Sequence, residues 1–276
     1  MERGLLEFDG GTLAWESSGE GPGVVFLHPG LWDSRVWDEQ FGGFSRTYRV
    51  LRYDFRGYGR SSRPEPGKPY SHVSDLAAVI DAAGVDRAAL IGNSMGGRVA
   101  IDFALTHPGR VAALILAAPE IGGFEGTERE DEIWEAWSDE RETLIADAVA
   151  ADIDGDYERA QERRLQCLWA PLGIKDEAGR KIRQIAFDNI HELTMDESGE
   201  RELDPPAAER LGEIRAPTLV LPADHDPPWL ERMCEVLEEK IRGARLVRIP
   251  ETDHVIPLRR PDEFNRVVVG FLDEVF

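Results

Sequence analysis

Residues 88 to 100 run Ala-Ala-Leu-Ile-Gly92-Asn-Ser94-Met95-Gly96-Gly-Arg-Val-Ala, an apolar stretch that turns through Gly-x-Ser-x-Gly into a helical pattern. A serine at such a strand–turn–helix elbow is held in a strained backbone that lifts its hydroxyl off the sheet, while the flanking glycines let strand and helix approach closely. Ser94 is therefore the candidate nucleophile, and the structural alternative is an N-capping serine in a glycine-rich turn. A serine hydroxyl is too weak an acid to attack unaided, so a histidine base and an acid to orient it must be found elsewhere in the chain.

Six histidines are available. His254 differs from the rest in setting. It follows the apolar run 246–249, in the loop Pro250-Glu-Thr-Asp-His254-Val-Ile-Pro257 ahead of the last helical pattern, at the carboxyl edge of a sheet where ligand chemistry collects. His107 before Pro108, His191 on an amphipathic stretch, and His72 and His225 in polar loops read as structural or solvated, and His28 reads as a buried hydrogen-bonder. The order serine, acid, histidine places the acid in Pro222-Ala-Asp224-His-Asp226. Asp226 is the first choice, Asp224 the second, and Glu120, after an earlier strand, the third. The alternative for both aspartates is capping of the helix that begins near Trp229. Oxyanion donors are also required. The Met95 amide supplies one, and the loop His28-Pro29-Gly30-Leu31-Trp32 supplies the other; Pro29 has no N–H, so Gly30 is favoured over Leu31.

These loops must be carried by a sheet. Apolar runs at 13–16, 24–27, 49–53, 88–91, 112–116, 218–221 and 246–249 read as strands, with helical spacing at 71–83, 95–106, 229–241 and 261–276. Such alternation predicts an α/β fold with a doubly wound, mostly parallel sheet. It breaks between Glu120 and Pro205, where no convincing strand occurs, so residues 1–119 and 206–276 are expected to form the core domain and 120–205 an inserted helical cap.

The chain holds 32 basic and 53 acidic residues, a net charge of −21. Nucleic acid and anionic membranes are thereby disfavoured as partners. Between 120 and 204 there are 25 acidic and 10 basic residues, so this segment carries most of the excess and its outer face is expected to be anionic. That excess, with basic residues that are nearly all Arg, fits either salt adaptation or a biased genome. Cys167 and Cys234 lack metal-ligand spacing and read as buried hydrophobes in a reducing compartment. No leader pattern or long apolar span is seen, and the expectation is a cytoplasmic protein, monomer or homodimer.

Together the motifs resemble the α/β-hydrolase family, in its cap-bearing branch of esterases, enol-lactone hydrolases, cofactor-free haloperoxidases, haloalkane dehalogenases and carbon–carbon bond hydrolases. The resemblance rests on the elbow, on His28-Pro29-Gly30 with Trp37 beyond it, and on Asp54-Phe-Arg56-Gly57-Tyr-Gly59-Arg-Ser61-Ser62. It extends to Pro217-Thr-Leu-Val-Leu221 leading to Asp226, and to His254 before Pro261-Asp-Glu-Phe264-Asn. It implies the α/β-hydrolase fold and acyl-type chemistry through a serine ester, since the dehalogenase members carry aspartate where Ser94 stands. Carbon–carbon hydrolases often share the Gly-Asn-Ser-Met-Gly-Gly elbow, but here Val255 replaces their tryptophan after the histidine, and Pro29 replaces the family's usual Gly or Ala.

The leading expectation is hydrolysis of a small carboxylic ester or lactone, with no metal and no cofactor. Carbon–carbon bond hydrolysis and a ligand receptor with little turnover are the alternatives, and perhydrolysis would use the same residues. Because His254 must be neutral to act as base, activity should fall on acidification through roughly pH 6 to 7. Leu31, Trp134, Trp137, Trp169 and Phe187 are candidate substrate-lining residues, against a core role for aromatics at helical spacing. An anionic cap would slow anionic substrates. Arg35, close to the oxyanion loop, could meet an acidic group or sit in a surface ion pair.

Overall fold

The apolar runs assemble into one eight-stranded sheet with order β1-β2-β4-β3-β5-β6-β7-β8. The strands are β1 (Glu2–Phe8), β2 (Gly11–Ser18), β3 (Gly23–Leu27), β4 (Arg49–Tyr53), β5 (Ala88–Asn93), β6 (Val111–Ala117), β7 (Thr218–Leu221) and β8 (Arg245–Leu246). β1 and β2 pair antiparallel, as do β2 and β4, and every other neighbouring pair is parallel. The computed structural model describes the backbone of residues 1–276 and all side chains except those of 128–130.

Side chains alternate across a strand, so a sheet covered on both faces needs apolar residues at every position. β3, β5 and β6 meet that demand, being buried along their whole length. Val25, Leu27, Leu90 and Leu114 join one apolar layer with Leu76, Val99 and Leu237; Val24, Phe26, Ile91 and Ile115 join the other with Trp37, Phe264 and Val268. The helices that cover them are α1 (Asp38–Phe44), α2 (His72–Ala82) and α3 (Met95–Thr106), then, beyond β6, α4 (Glu128–Asp139), α5 (Glu142–Asp154), α6 (Tyr157–Arg164) and α7 (Glu177–Asp188). A short α8 (Ala207–Arg210) precedes β7, α9 (Pro228–Lys240) follows it, and α10 (Ile256–Arg259) and α11 (Pro261–Val275) close the chain.

The doubly wound architecture expected from the alternation is the one observed. Three details differ. β1 was not expected, although Asp9-Gly10 after it is a hairpin signal: both residues have positive φ, 46° and 75°, as a two-residue primed turn demands. β8 covers Arg245–Leu246 instead of 246–249, as an edge strand with one neighbour pairs only briefly. α1 is a seven-residue helix with two internal glycines, too short to show periodicity.

The excursion between β6 and β7 is helical apart from an isolated bridge, Tyr70 to Glu200. Asp156 and Asp176 accept hydrogen bonds from amides in the first turns of α6 and α7, and Gly155 ends α5 with φ at 74°. One side of this excursion is joined to the core by polar contacts. Asn189 Nδ2 donates to Asp33 Oδ2 at 2.8 Å, Gly59 N donates to Asn189 Oδ1 at 2.8 Å, and Trp32 Nε1 donates to Ile182 O at 2.9 Å. On the other side the contact is aromatic: Trp134 of α4 meets Trp229 of α9 edge-on at 4.4 Å. Cys167 and Cys234 are buried and unpaired.

Candidate active site

β5 ends at Asn93 and α3 begins at Met95, so the chain must reverse at Ser94, which has φ 53° and ψ −119°. This is a rare backbone for a residue with a Cβ, costing of order 1–3 kcal/mol, and it persists only where surrounding packing imposes it. Packing here does impose it. A Cβ on Gly92 would lie 2.3 Å from the Gly96 carbonyl oxygen, and one on Gly96 would lie 2.3 Å from Leu27 O, so both positions require glycine. Met95 stands at the first helical position, where the amide has no partner within its own helix.

The expected acid and base meet. His254 and Asp226 are both buried, and His254 Nδ1 donates to the two Asp226 carboxylate oxygens at 3.0 Å each. Asn93, the residue before Ser94, donates through Nδ2 to the His254 carbonyl at 3.1 Å and to Ala117 O at 3.0 Å. The loops after β5, β6 and β8 are therefore bonded to one another. Asp224 is engaged elsewhere, accepting the Glu251 amide at 2.9 Å and shaping the loop that presents His254. Glu120 takes a place not expected of it: the Ser94 hydroxyl donates to Glu120 Oε1 at 3.3 Å. Burial alone would depress the basicity of His254, but the Asp226 charge and hydrogen bond, helped by Glu120 and Asp253, outweigh it and hold the imidazole pKa above its usual value.

The oxyanion loop is braced from beneath. Phe55 N donates to His28 Nε2 at 2.9 Å, so His28 carries its proton on Nδ1 and gives it to Pro29 O at 2.8 Å. His28 is thus a structural ring, and burial keeps its basicity low. Leu31 has φ 69°, turning the chain sharply after Gly30. A methyl on Gly30 would lie 4.0 Å from the Met95 sulfur and 3.8 Å from Tyr58 Oη, so the Gly30 turn packs against both side chains.

The expected lining residues separate into two groups. Trp169, at the end of a π-helical turn (Leu165–Trp169), lies against His254 with centroids 4.6 Å apart. Leu31 and Phe187 are half-buried against the apolar layer behind the imidazole, and Arg183 lies over the Phe187 ring. Trp134 and Trp137 stack on each other at 5.2 Å and face Trp229, and Trp134 lines a surface groove of about 350 Å³ together with Trp229, Phe124 and Met233. A chain of rings through Trp229 and Trp169 joins them to His254. Arg35 is fully committed to ion pairs with Asp33 and Asp188, each at 2.7 Å.

Beyond Glu120, sequence reasoning missed the carboxylates around Tyr58. Tyr58, buried, donates to Glu192 Oε2 at 3.4 Å, and burial followed by Glu197's charge pushes the Glu192 pKa up to about 7. No spacing signal joins Tyr58 to Glu192; only the fold does.

Comparison with known proteins agrees with the fold. A family model described as the alpha/beta hydrolase fold matches residues 23–261. A 2-hydroxy-6-oxo-6-phenylhexa-2,4-dienoate hydrolase of Comamonas testosteroni is 28% identical, covering 98% of this chain and 93% of its own. A pimeloyl-(acyl-carrier protein) methyl ester esterase of Nitrosospira multiformis is 27% identical, covering 94% and 98%. The solved structure of an N-acyl homoserine lactone degrading enzyme superposes with a TM-score of 0.73 at 28% identity, covering 97% of this chain and 100% of that one.

Proposed function

Because the chain belongs to the α/β-hydrolase family, we propose that it is a serine hydrolase of small carboxylic esters or lactones, working through an acyl-serine intermediate under a helical cap formed by residues 120–205. The observation that carries this reading is the buried His254–Asp226 pair, bonded through Asn93 to the strained elbow that holds Ser94. Relatives named as a methyl ester esterase and a lactone-degrading enzyme support the substrate class.

In this mechanism the Ser94 hydroxyl turns from Glu120 toward His254 Nε2, which is left free because Nδ1 is bound to Asp226. Oγ attacks the acyl carbon as Nε2 takes its proton, and the Gly30 and Met95 amides receive the developing oxyanion. The imidazolium returns the proton to the leaving alcohol, and the same ring then activates a water against the acyl-serine. Asp226 fixes the tautomer and stabilises the cation. Trp169 and Trp32, whose rings lie 4.6 and 6.3 Å from the His254 ring, exclude bulk water from it.

The carbon–carbon reading has a relative in its favour, but its substrates carry a carboxylate. Here Arg35 is already paired, and Glu120 and Glu192 face the nucleophile's surroundings, so an anionic substrate would be repelled.

Labelling with a serine-directed fluorophosphonate tests the reading: stoichiometric modification at Ser94 is expected, and an unlabelled, folded protein would replace it with the receptor alternative. A panel of chromogenic esters, lactones and a dienone diketo acid identifies the scissile bond, and selective cleavage of the diketo acid would favour carbon–carbon hydrolysis. The pH profile provides a further check. His254 must be neutral, and its pKa is raised, so kcat/KM should be lost as pH falls through an inflection above about 6.5. A profile flat down to pH 5 would remove His254 as the base.

A further inference from the structure

A run of carboxylates, Glu120, Glu192, Glu197 and Glu200, extends from Ser94 past Tyr58, more of them than the reaction uses. Glu120 accepts from Ser94 Oγ at 3.3 Å, and Glu192 accepts from Tyr58 Oη at 3.4 Å. The Tyr58 hydroxyl lies in the field of Glu192, Glu197 and Glu120 together, and burial with those charges keeps it protonated. It sits 3.8 Å from where a Gly30 Cβ would be, so the cluster adjoins the oxyanion loop. Two cations face it. Arg98 is bonded to Glu200 at 2.8 Å, and Arg164, nearest Glu192, chelates Asp152. His72 lies 4.0 Å from Glu200 but is held neutral, its pKa pushed down to about 3, chiefly by burial.

A second observation is independent of the carboxylates. Tyr70 is 4% exposed, and its hydroxyl makes no hydrogen bond among the described residues. It is joined to Glu200 by the isolated bridge, and its ring meets that of His72, itself 4.0 Å from Glu200, at 5.3 Å, which places it at the Glu200 end of the cluster. A buried hydroxyl without a partner is costly unless something arrives to use it. The carboxylate oxygens outnumber the donors here, and each tyrosine oxygen can accept as well as donate, which suits a group with N–H donors and positive charge. Among the described residues no three carboxylate or imidazole side chains converge as ligands of one metal ion, which favours an extended organic cation over a bare one.

We propose that this cluster of Glu120, Glu192, the exposed Glu197 and the Tyr58 and Tyr70 hydroxyls is a subsite for an organic ammonium group, and that the substrates are small esters or lactones bearing a protonated amine. The substrate half of this inference rests on the serine-hydrolase reading; the binding half does not. Burial raises the Glu192 and Glu197 pKa values, and neighbouring carboxylates add to it, Glu197 acting on Glu192 and Glu200 on Glu197, a repulsion that an entering cation would relieve.

The test pairs each cationic ester with a neutral isostere. Methyl 3-aminopropanoate is compared with methyl butanoate for the acyl side, and protonated 2-(dimethylamino)ethyl acetate with 3-methylbutyl acetate for the alcohol side. In at least one pair kcat/KM should favour the cation by about tenfold or more, the scale of one extra ion contact. The preference should collapse toward unity in Glu192→Gln/Glu197→Gln, or in the rim variant Glu197→Gln if the double variant is unstable. Preference for the neutral ester in both pairs, by a protein whose Ser94 is labelled, overturns the proposal. Calorimetry with butylammonium chloride against butan-1-ol at matched ionic strength separates the two readings. If Ser94 is inert but butylammonium binds, and binds more weakly to the double variant, the subsite stands without the enzyme. Equal affinity for amine and alcohol overturns it.

Discussion

The Ser94→Ala protein should lose ester hydrolysis by about a millionfold in kcat, the scale seen when a serine nucleophile is removed from a complete triad. Its fold should remain. Alanine retains the Cβ, so the elbow at φ 53° is neither relieved nor worsened, and Asn93 still ties the His254 carbonyl to Ala117. Steady-state kinetics on 4-nitrophenyl acetate, read beside a thermal melt, separates lost chemistry from lost structure. A variant that melts like the parent and keeps even one hundredth of its rate would place the nucleophile elsewhere.

Asp226→Asn should cost about ten-thousandfold in kcat, because an amide in that place selects the wrong imidazole tautomer while leaving the geometry intact. Glu120 is the rival acid. It contacts Ser94 and acts on His254 only through space. Glu120→Gln should therefore cost no more than about tenfold, the scale of one lost ionic contact. Both variants can be measured at a pH well above the acid limb, where His254 is neutral in either. If the two losses were reversed in size, the acid after β6 would be the functional one and the Asp226 contact a resting arrangement.

Much of the architecture was legible because it depends on local regularities. The apolar runs had strand length, the glycines at 92 and 96 mark a packing constraint confirmed to within a bond length, and the loop 222–226 lay where an acid must follow a strand. The choice of Asp226 over Asp224 was not local. It depends on Asp224 being used by the Glu251 amide, a contact between loops 27 residues apart. The carboxylates around Tyr58 were invisible for the same reason, since Glu192 and Tyr58 are separated by 134 residues and no periodicity relates them. The tryptophans were ambiguous in sequence because helical spacing is the same whether a ring faces a ligand or a neighbour. Packing resolves them, with Trp169 on the imidazole, Trp134 at the outer groove and Trp137 stacked on Trp134.

The two borders of the helical excursion have unlike mechanical properties. At Asn189, Asp33 and Trp32 the border is stitched by hydrogen bonds of fixed length and direction, while at Trp134 and Trp229 the contact described is one of rings, which slide and part more readily than directed hydrogen bonds. A swing that admits a reactant would accordingly pivot about Asn189 and gape along the indoles. A disulfide clamp across the indole border should then throttle turnover, whereas one across the Asn189 border should leave it running.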